Sequence, residues 1–209
     1  MRHARQFAAF AFAFLACAGA SAAVVATNTS YGVIDGTLDT RTLTVAEHGW
    51  ITDLNILVEF SKCDDPPIGP NGSACRGPGD PFEEEIAFTL TGPDGRSVDL
   101  VLPYETYTGA TRGAGRVSVN FDDEAPDAVG PRIASGTFRP EGSLGLFDRT
   151  DMFGSWTLSL QDFSPGDPLE FFSASLDISF TTGPAPVPEP ATLAMLGLGL
   201  LGMRAARRR

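Results

Sequence analysis

Apolar and polar residues alternate with a period of two through most of the chain between Val24 and Phe180. Leu43 and Val45 begin the pattern. Leu54, Ile56, Val58 and Phe60 then share one face, with Asp53, Asn55 and Glu59 on the other. Ile86, Phe88 and Leu90 follow, then Val98, Leu100 and Leu102, then Val117, Val119 and Phe121. Trp156, Leu158 and Leu160 form the next run, and Ala174, Leu176, Ile178 and Phe180 the last. Alternation of this kind gives each strand one buried face, as in antiparallel sheets with one side to solvent. Seven or more such strands divided by Gly, Pro and Asp turns predict two sheets packed face to face. No stretch has the 3.6-residue period of an amphipathic helix.

The turns carry their own chemistry. Gly92-Pro93-Asp94-Gly95 stands between two alternating runs, and Asp-Gly supplies the positive φ a hairpin needs. Ser164-Pro165-Gly166-Asp167-Pro168 predicts another reversal. Lys62 to Phe82 holds five prolines and no alternation, and a loop this long in a compact domain needs a reason. Cys63 and Cys75 lie within it as a pair, which reads as one disulfide if the domain is exported. That bridge is expected to contribute about 3 kcal/mol by constraining the unfolded loop.

The two ends break the pattern. Arg2, His3 and Arg5 precede an apolar run from Phe7 to Ala20, and Ala20-Ser21-Ala22-Ala23 offers small residues for cleavage. Residues 1–23 therefore read as a secretory signal peptide. Phe14-Leu15-Ala16-Cys17 is an imperfect lipoprotein box, so lipidation of Cys17 is the alternative outcome for this segment. At the other end, Thr181 to Pro186 is a proline-stiffened linker. Val187, Pro188, Glu189 and Pro190 form an extended segment, because each proline fixes its φ and restrains its predecessor. Ala191 to Met203 is uncharged, and Arg204, Arg207, Arg208 and Arg209 close the chain. An apolar stretch followed by arginines orients its basic end to the cytoplasm. Thirteen helical residues reach only about 20 Å, short of the roughly 30 Å hydrocarbon core. The tail is thus expected to hold the protein at the inner membrane transiently rather than to anchor it.

Charge sharpens this picture. The chain has 26 acidic and 15 basic residues. Six of the basic ones lie in the two ends, leaving the stretch 24–186 with 25 acidic and 9 basic residues, a net of −16. Such a domain repels nucleic acid and anionic lipid, and no nucleic-acid partner is expected.

The order Pro-Glu-Pro, apolar stretch, basic end resembles the PEP-CTERM sorting signal of exported bacterial proteins. The resemblance implies processing by an exosortase-type membrane enzyme. It also implies a Gram-negative-type envelope, a polysaccharide-rich setting, and a destination at the cell surface or extracellular matrix. A second resemblance covers about residues 40 to 180. Ile51-Thr52-Asp53-Leu54-Asn55-Ile56, Leu90 to Gly95, Asn120 to Ala125, Gly136 to Pro140, Leu144 to Phe147 and Gly154 to Asp162 follow one another as in the P domain (P/Homo B module) beside subtilase catalytic domains. "GSWTLSLQD" is its firmest piece. This resemblance implies a jelly-roll β-sandwich. The chain departs from it where Ser61-Lys62-Cys63 replaces a His-Thr pair, and where Phe171-Phe172 replaces a Trp of the last strand. The expected organisation is a signal peptide over 1–23, a P-domain-like all-β antiparallel sandwich over 24–180, a linker over 181–186, and a sorting signal with a short hydrophobic helix over 187–209.

Candidate chemistry is sparse. His48 is the single histidine beyond the leader, in the turn-like Glu47-His48-Gly49-Trp50, and no Gly-x-Ser-x-Gly elbow accompanies it. No catalytic residues are expected. A small carboxylate-dependent hydrolase would need two facing carboxylates, and nothing marks a pair. Asp122, Asp123, Glu124 and Asp127 cluster in one loop and form a candidate Ca²⁺ site, with Asp53, Asp162 and Asp167 as possible donors from other loops. Glu83-Glu84-Glu85 is expected to be a charged strand edge that blocks aggregation. Trp156 is expected in the core, whereas Trp50, Tyr104 and Tyr107 are expected to be freer, and Tyr104-Glu105-Thr106-Tyr107 is a candidate aromatic binding edge. The function expected is a non-catalytic structural or adhesion module of the cell surface or exopolysaccharide matrix. The alternatives are a Ca²⁺-dependent carbohydrate- or protein-binding accessory domain and the hydrolase.

Overall fold

The computed structural model describes residues 22–109 and 112–183. The signal-peptide residues before Ala22, Cys17, the linker from Pro184 and the whole sorting signal lie outside the described residues. Ten strands form two sheets. The first contains β1 (Ala22–Asn28), β10 (Leu169–Thr181), β4 (Trp50–Lys62), β7 (Ala114–Phe121) and β8 (Gly136–Phe138) in that order, and β2 (Gly32–Ile34) also pairs with β10. The second has the order β3 (Leu38–Val45), β9 (Gly154–Asp162), β5 (Ile86–Thr91), β6 (Ser97–Val101). The pairs are antiparallel except β7–β8, which is parallel. Two 3-10 turns, Glu83–Glu85 and Leu144–Phe147, are the helical elements among the described residues. No described helix is long and apolar enough to cross a membrane.

The predicted alternation holds strand by strand, because each apolar set turns towards the gap between the sheets. Leu54 pairs across from Ile178, Ile56 from Leu176 and Val58 from Ala174. In the facing sheet, Phe88 lies opposite Leu160 and Leu90 opposite Leu158. Trp156 is fully buried; its indole N–H donates to the Met152 carbonyl at 3.1 Å, and its ring meets Phe147 edge-on at 4.9 Å. Phe60 and Phe88 make a second edge-on contact at 4.9 Å. Ile34, Ile51 and Phe121 are buried as well.

Local irregularities have identifiable causes. The Gly92–Gly95 turn joins β5 to β6 as expected: the Gly95 amide donates to the Gly92 carbonyl, and Gly95 takes φ +83°. The Ser164–Pro168 reversal joins strands of different sheets, so it is a crossing and not a hairpin. Within β10 the register shifts between Phe171 and Ser173, which inserts Phe172 as a bulge. Both rings are thereby buried, Phe171 in the main core and Phe172 against Cys63 and Ile68 under the long loop. β1, β2 and β8 escape the period-two reading, since β1 alternates poorly and β2 and β8 have three residues each. β1 begins at Ala22, within the segment expected to precede cleavage, and Ala22 and Ala23 pair with Phe180 and Ser179.

Candidate binding surface

Two buried carboxylate systems tie the long loop to the sandwich. Lys62, at the end of β4, is fully buried, and its ammonium donates to Glu85 Oε1 at 2.7 Å, to Asp162 Oδ2 at 2.9 Å and to the Asp167 carbonyl. β4 belongs to the first sheet, and Glu85 and Asp162 to elements of the second, so one cation pins the sheets together at this end. All three ammonium donors are used. Burial raises the carboxyls of Glu85 and Asp162 above their ordinary range, with Lys62 opposing the rise. The expected charged edge at Glu83–Glu85 is therefore corrected: Glu83 and Glu85 point inward, because the 3-10 turn rotates them off the strand face.

Glu170 is the second system. Its Oε1 accepts from the Tyr31 hydroxyl at 2.7 Å and the Gly69 amide at 2.8 Å. Its Oε2 accepts from the Ser61 hydroxyl at 2.9 Å and the Ile68 amide at 2.8 Å. Burial and this carboxylate push the Tyr31 hydroxyl up. Glu170 thus holds the start of the loop that the Cys63–Cys75 disulfide closes. The sequence carried a signal for it, a lone carboxylate inside the apolar run Leu169-Glu170-Phe171-Phe172. Glu170→Gln turns acceptor positions into donors facing donors. It is expected to lower stability by about 2–3 kcal/mol, read as a lower urea midpoint, and to speed proteolysis within residues 63–82. An unchanged midpoint would contradict this role.

The candidate calcium residues separate by task. Asp123 accepts from the Ser143 hydroxyl at 2.7 Å and from the Leu144 and Gly145 amides at 3.1 and 2.9 Å, holding the second 3-10 turn. Asp122 accepts from the Glu124 amide at 2.8 Å, and the Asp127 carbonyl accepts from the Arg139 amide at 2.8 Å. Asp53 approaches Asp122 and Asp123, and burial together with those charges raises its carboxyl. Asp162 lies apart, on Lys62, and Asp167 accepts from the Phe82 amide at 2.9 Å. Among the described residues no three His, Cys, Asp or Glu side chains converge so as to hold a metal. His48 is exposed, stacked on Phe153 at 4.1 Å, with Nδ1 2.7 Å from Asp151.

The aromatic edge differs from expectation in one member. Tyr107 is buried, and its hydroxyl is raised by burial and by Glu83 and Glu141 nearby. Tyr104 is exposed and instead meets Phe163, ring centroids 6.0 Å apart. Phe82 joins them. The Tyr104 amide donates to the Glu84 carbonyl, the Phe163 amide to the Glu85 carbonyl and the Phe82 amide to Asp167, so three loops converge on one 3-10 turn. Phe82, Tyr104 and Phe163 are 63%, 57% and 42% exposed, and the touching rings of Tyr104 and Phe163 form an aromatic ledge beside the turn that Phe82 precedes. Three loops far apart in sequence build it, which no local pattern reveals.

The segment beyond Gly183 is decided by its sequence: residues 186–209 match the PEP-CTERM protein-sorting motif. The tail is a PEP-CTERM sorting signal. It marks an exported protein of a Gram-negative-type envelope, handled by an exosortase-type processing enzyme. No curated protein matches the chain by sequence. Among solved structures, the chain is similar to the Aeromonas sobria serine protease in complex with its chaperone, at 11% identity over 78% of this chain and 28% of that one, with a TM-score of 0.47. It is similar to the A. sobria serine protease alone at 12% identity, over 77% of this chain and 27% of that one, TM-score 0.43. Dimeric latent PorU from Porphyromonas gingivalis gives 7% identity, 77% and 13% coverage, and a TM-score of 0.33. The chain thus spans under a third of the length of each of these proteins.

Proposed function

We propose that this PEP-CTERM protein is a non-catalytic structural or adhesion module of the cell surface or exopolysaccharide matrix. Its sandwich is a P-domain-like jelly roll, and its tail holds it transiently at the inner membrane. The observation that carries the reading is the sorting signal at 186–209 joined to a compact acidic sandwich. The use of four buried charged groups supports it. Lys62, Glu85, Asp162 and Glu170 are consumed in holding loops and sheets, and His48–Asp151 is an exposed surface pair. Exopolysaccharide is the partner in this reading, and the exosortase-type enzyme acts on the tail.

Fractionation of the producing bacterium tests it. The processed protein is expected to sediment with the polysaccharide matrix and to move to the culture fluid when the polysaccharide is removed genetically. The same partition in both strains would overturn the matrix role.

A further inference from the structure

We propose that the Tyr104–Phe163 ledge, with Phe82 at the adjoining turn, binds a cationic amino-sugar polysaccharide, a polymer of unacetylated glucosamine units. The proposal rests on the matrix reading above and names its ligand class. Three observations carry it.

The first is a strained aromatic at the surface. Tyr104 follows Pro103 at a loop tip and takes φ +61°, a left-handed conformation that a bulky L-residue adopts only at a cost of about 1 kcal/mol or more. Yet Tyr104 is 57% exposed, so burial does not repay that cost. The strain presents the ring outward, in contact with Phe163.

The second is the charge around the rings. Glu84, Glu105 and Asp167 lie within the three loops that carry the aromatics, and none is in an ion pair among the described residues. Two cations lie near: Arg132, which acts on Glu83, and the buried Lys62, whose charge is taken up by Glu85 and Asp162. Apolar C–H faces of a pyranose stack on aromatic rings. A protonated amine gains twice, from the ring faces and from the carboxylates. The surplus of carboxylates over the whole of 24–186 attracts a polycation and repels a polyuronate.

The third observation separates a sugar from a peptide strand. The amides of Phe82, Tyr104 and Phe163 are all bonded internally, to Asp167, Glu84 and Glu85. The ledge therefore offers no free backbone donors at these residues for strand addition, and side chains alone recognise the ligand.

The experiment is isothermal titration of the exported protein with a soluble glucosamine polymer at a pH where its amines are protonated. The comparison ligands are its N-acetylated form, a polyuronate and polylysine. Tyr104→Gly removes the ring and also relieves the left-handed strain, so its unfolding midpoint is expected at or above wild type. That variant and Phe163→Ala should each weaken glucosamine binding at least tenfold, as should N-acetylation of the polymer. Glu84→Gln with Glu105→Gln should weaken it severalfold and flatten its salt dependence. Binding by folded Tyr104→Gly within twofold of wild type overturns the proposal. So does equal loss of glucosamine and polylysine binding, which would assign the ledge to a cationic peptide. The parent reading fails separately: wild type that binds the polymer in vitro but never enters the matrix overturns the matrix role and leaves the ledge standing.

Discussion

Lys62→Met is expected to destabilise the sandwich by about 3–5 kcal/mol at neutral pH, because it leaves buried carboxylates without their cation. The side chain is replaced by one of similar length, so little packing is lost. What is lost is a 2.7 Å contact to Glu85 and a 2.9 Å contact to Asp162, both carboxylates being buried. For a domain of this size the melting midpoint should fall on the order of 10 °C. The pH dependence gives a second readout. Burial already raises both carboxyls in the folded protein, so the folded state binds their protons more tightly than the unfolded chain. Their contribution to stability is therefore greatest below the unfolded carboxyl range and is lost as pH rises through the raised values. Without the ammonium the rise is larger. Lys62→Met should recover much of its lost stability on acidification from neutral pH to about 5, a window set by the carboxyl range. Glu83, pushed up to about 7 by burial, acts in the same direction in both proteins. The triple change Lys62→Met, Glu85→Gln, Asp162→Asn should restore most of the stability at neutral pH. A Lys62→Met protein within 1 kcal/mol of wild type by urea unfolding would refute the pin.

The second large effect is on sorting. Replacing Pro188, Glu189 and Pro190 together by Ala is expected to abolish processing and leave nearly all the protein in the membrane fraction. The physical reason is in the chain itself. Each proline restricts its own φ and disfavours helix, and alanine removes that restriction from the motif an enzyme reads. Mass spectrometry of exported wild-type protein should find a C-terminus near Glu189, with Ala191 to Arg209 absent. An exported protein that still ends at Arg209, or a variant processed like wild type, would refute this route. The sandwich should be unaffected, since the last described strand ends at Thr181, well before the motif.

Seven strands, the Gly92–Gly95 hairpin, the core position of Trp156 and the sorting signal were all legible in the sequence. Each is encoded locally, by a period of two, a turn dipeptide or a contiguous motif. The pairing of Cys63 with Cys75 was legible too, because no third cysteine competes between Val24 and Pro186. The loop-bound charges were not. Glu83–Glu85 looked like a solvated edge, and only the approach of Lys62 from the other sheet makes Glu85 a buried partner. Glu170 is a lone carboxylate in an apolar run, and only the fold brings Tyr31, Ser61, Ile68 and Gly69 to it from more than 100 positions away.

The aromatic residues divide in the same way. Tyr104 and Tyr107 are three apart in one loop, and their sequence neighbourhood treats them alike. Packing into the main core buries Tyr107, while a left-handed backbone at Tyr104 turns its ring outward to Phe163, 59 positions downstream. By itself, the sequence determined the class of fold and the address on its tail, because periodicity, turn chemistry and linear motifs act over a few residues. The tertiary structure alone decided which charges are buried and which aromatics form a surface, because both depend on which loops meet at one end of two packed sheets.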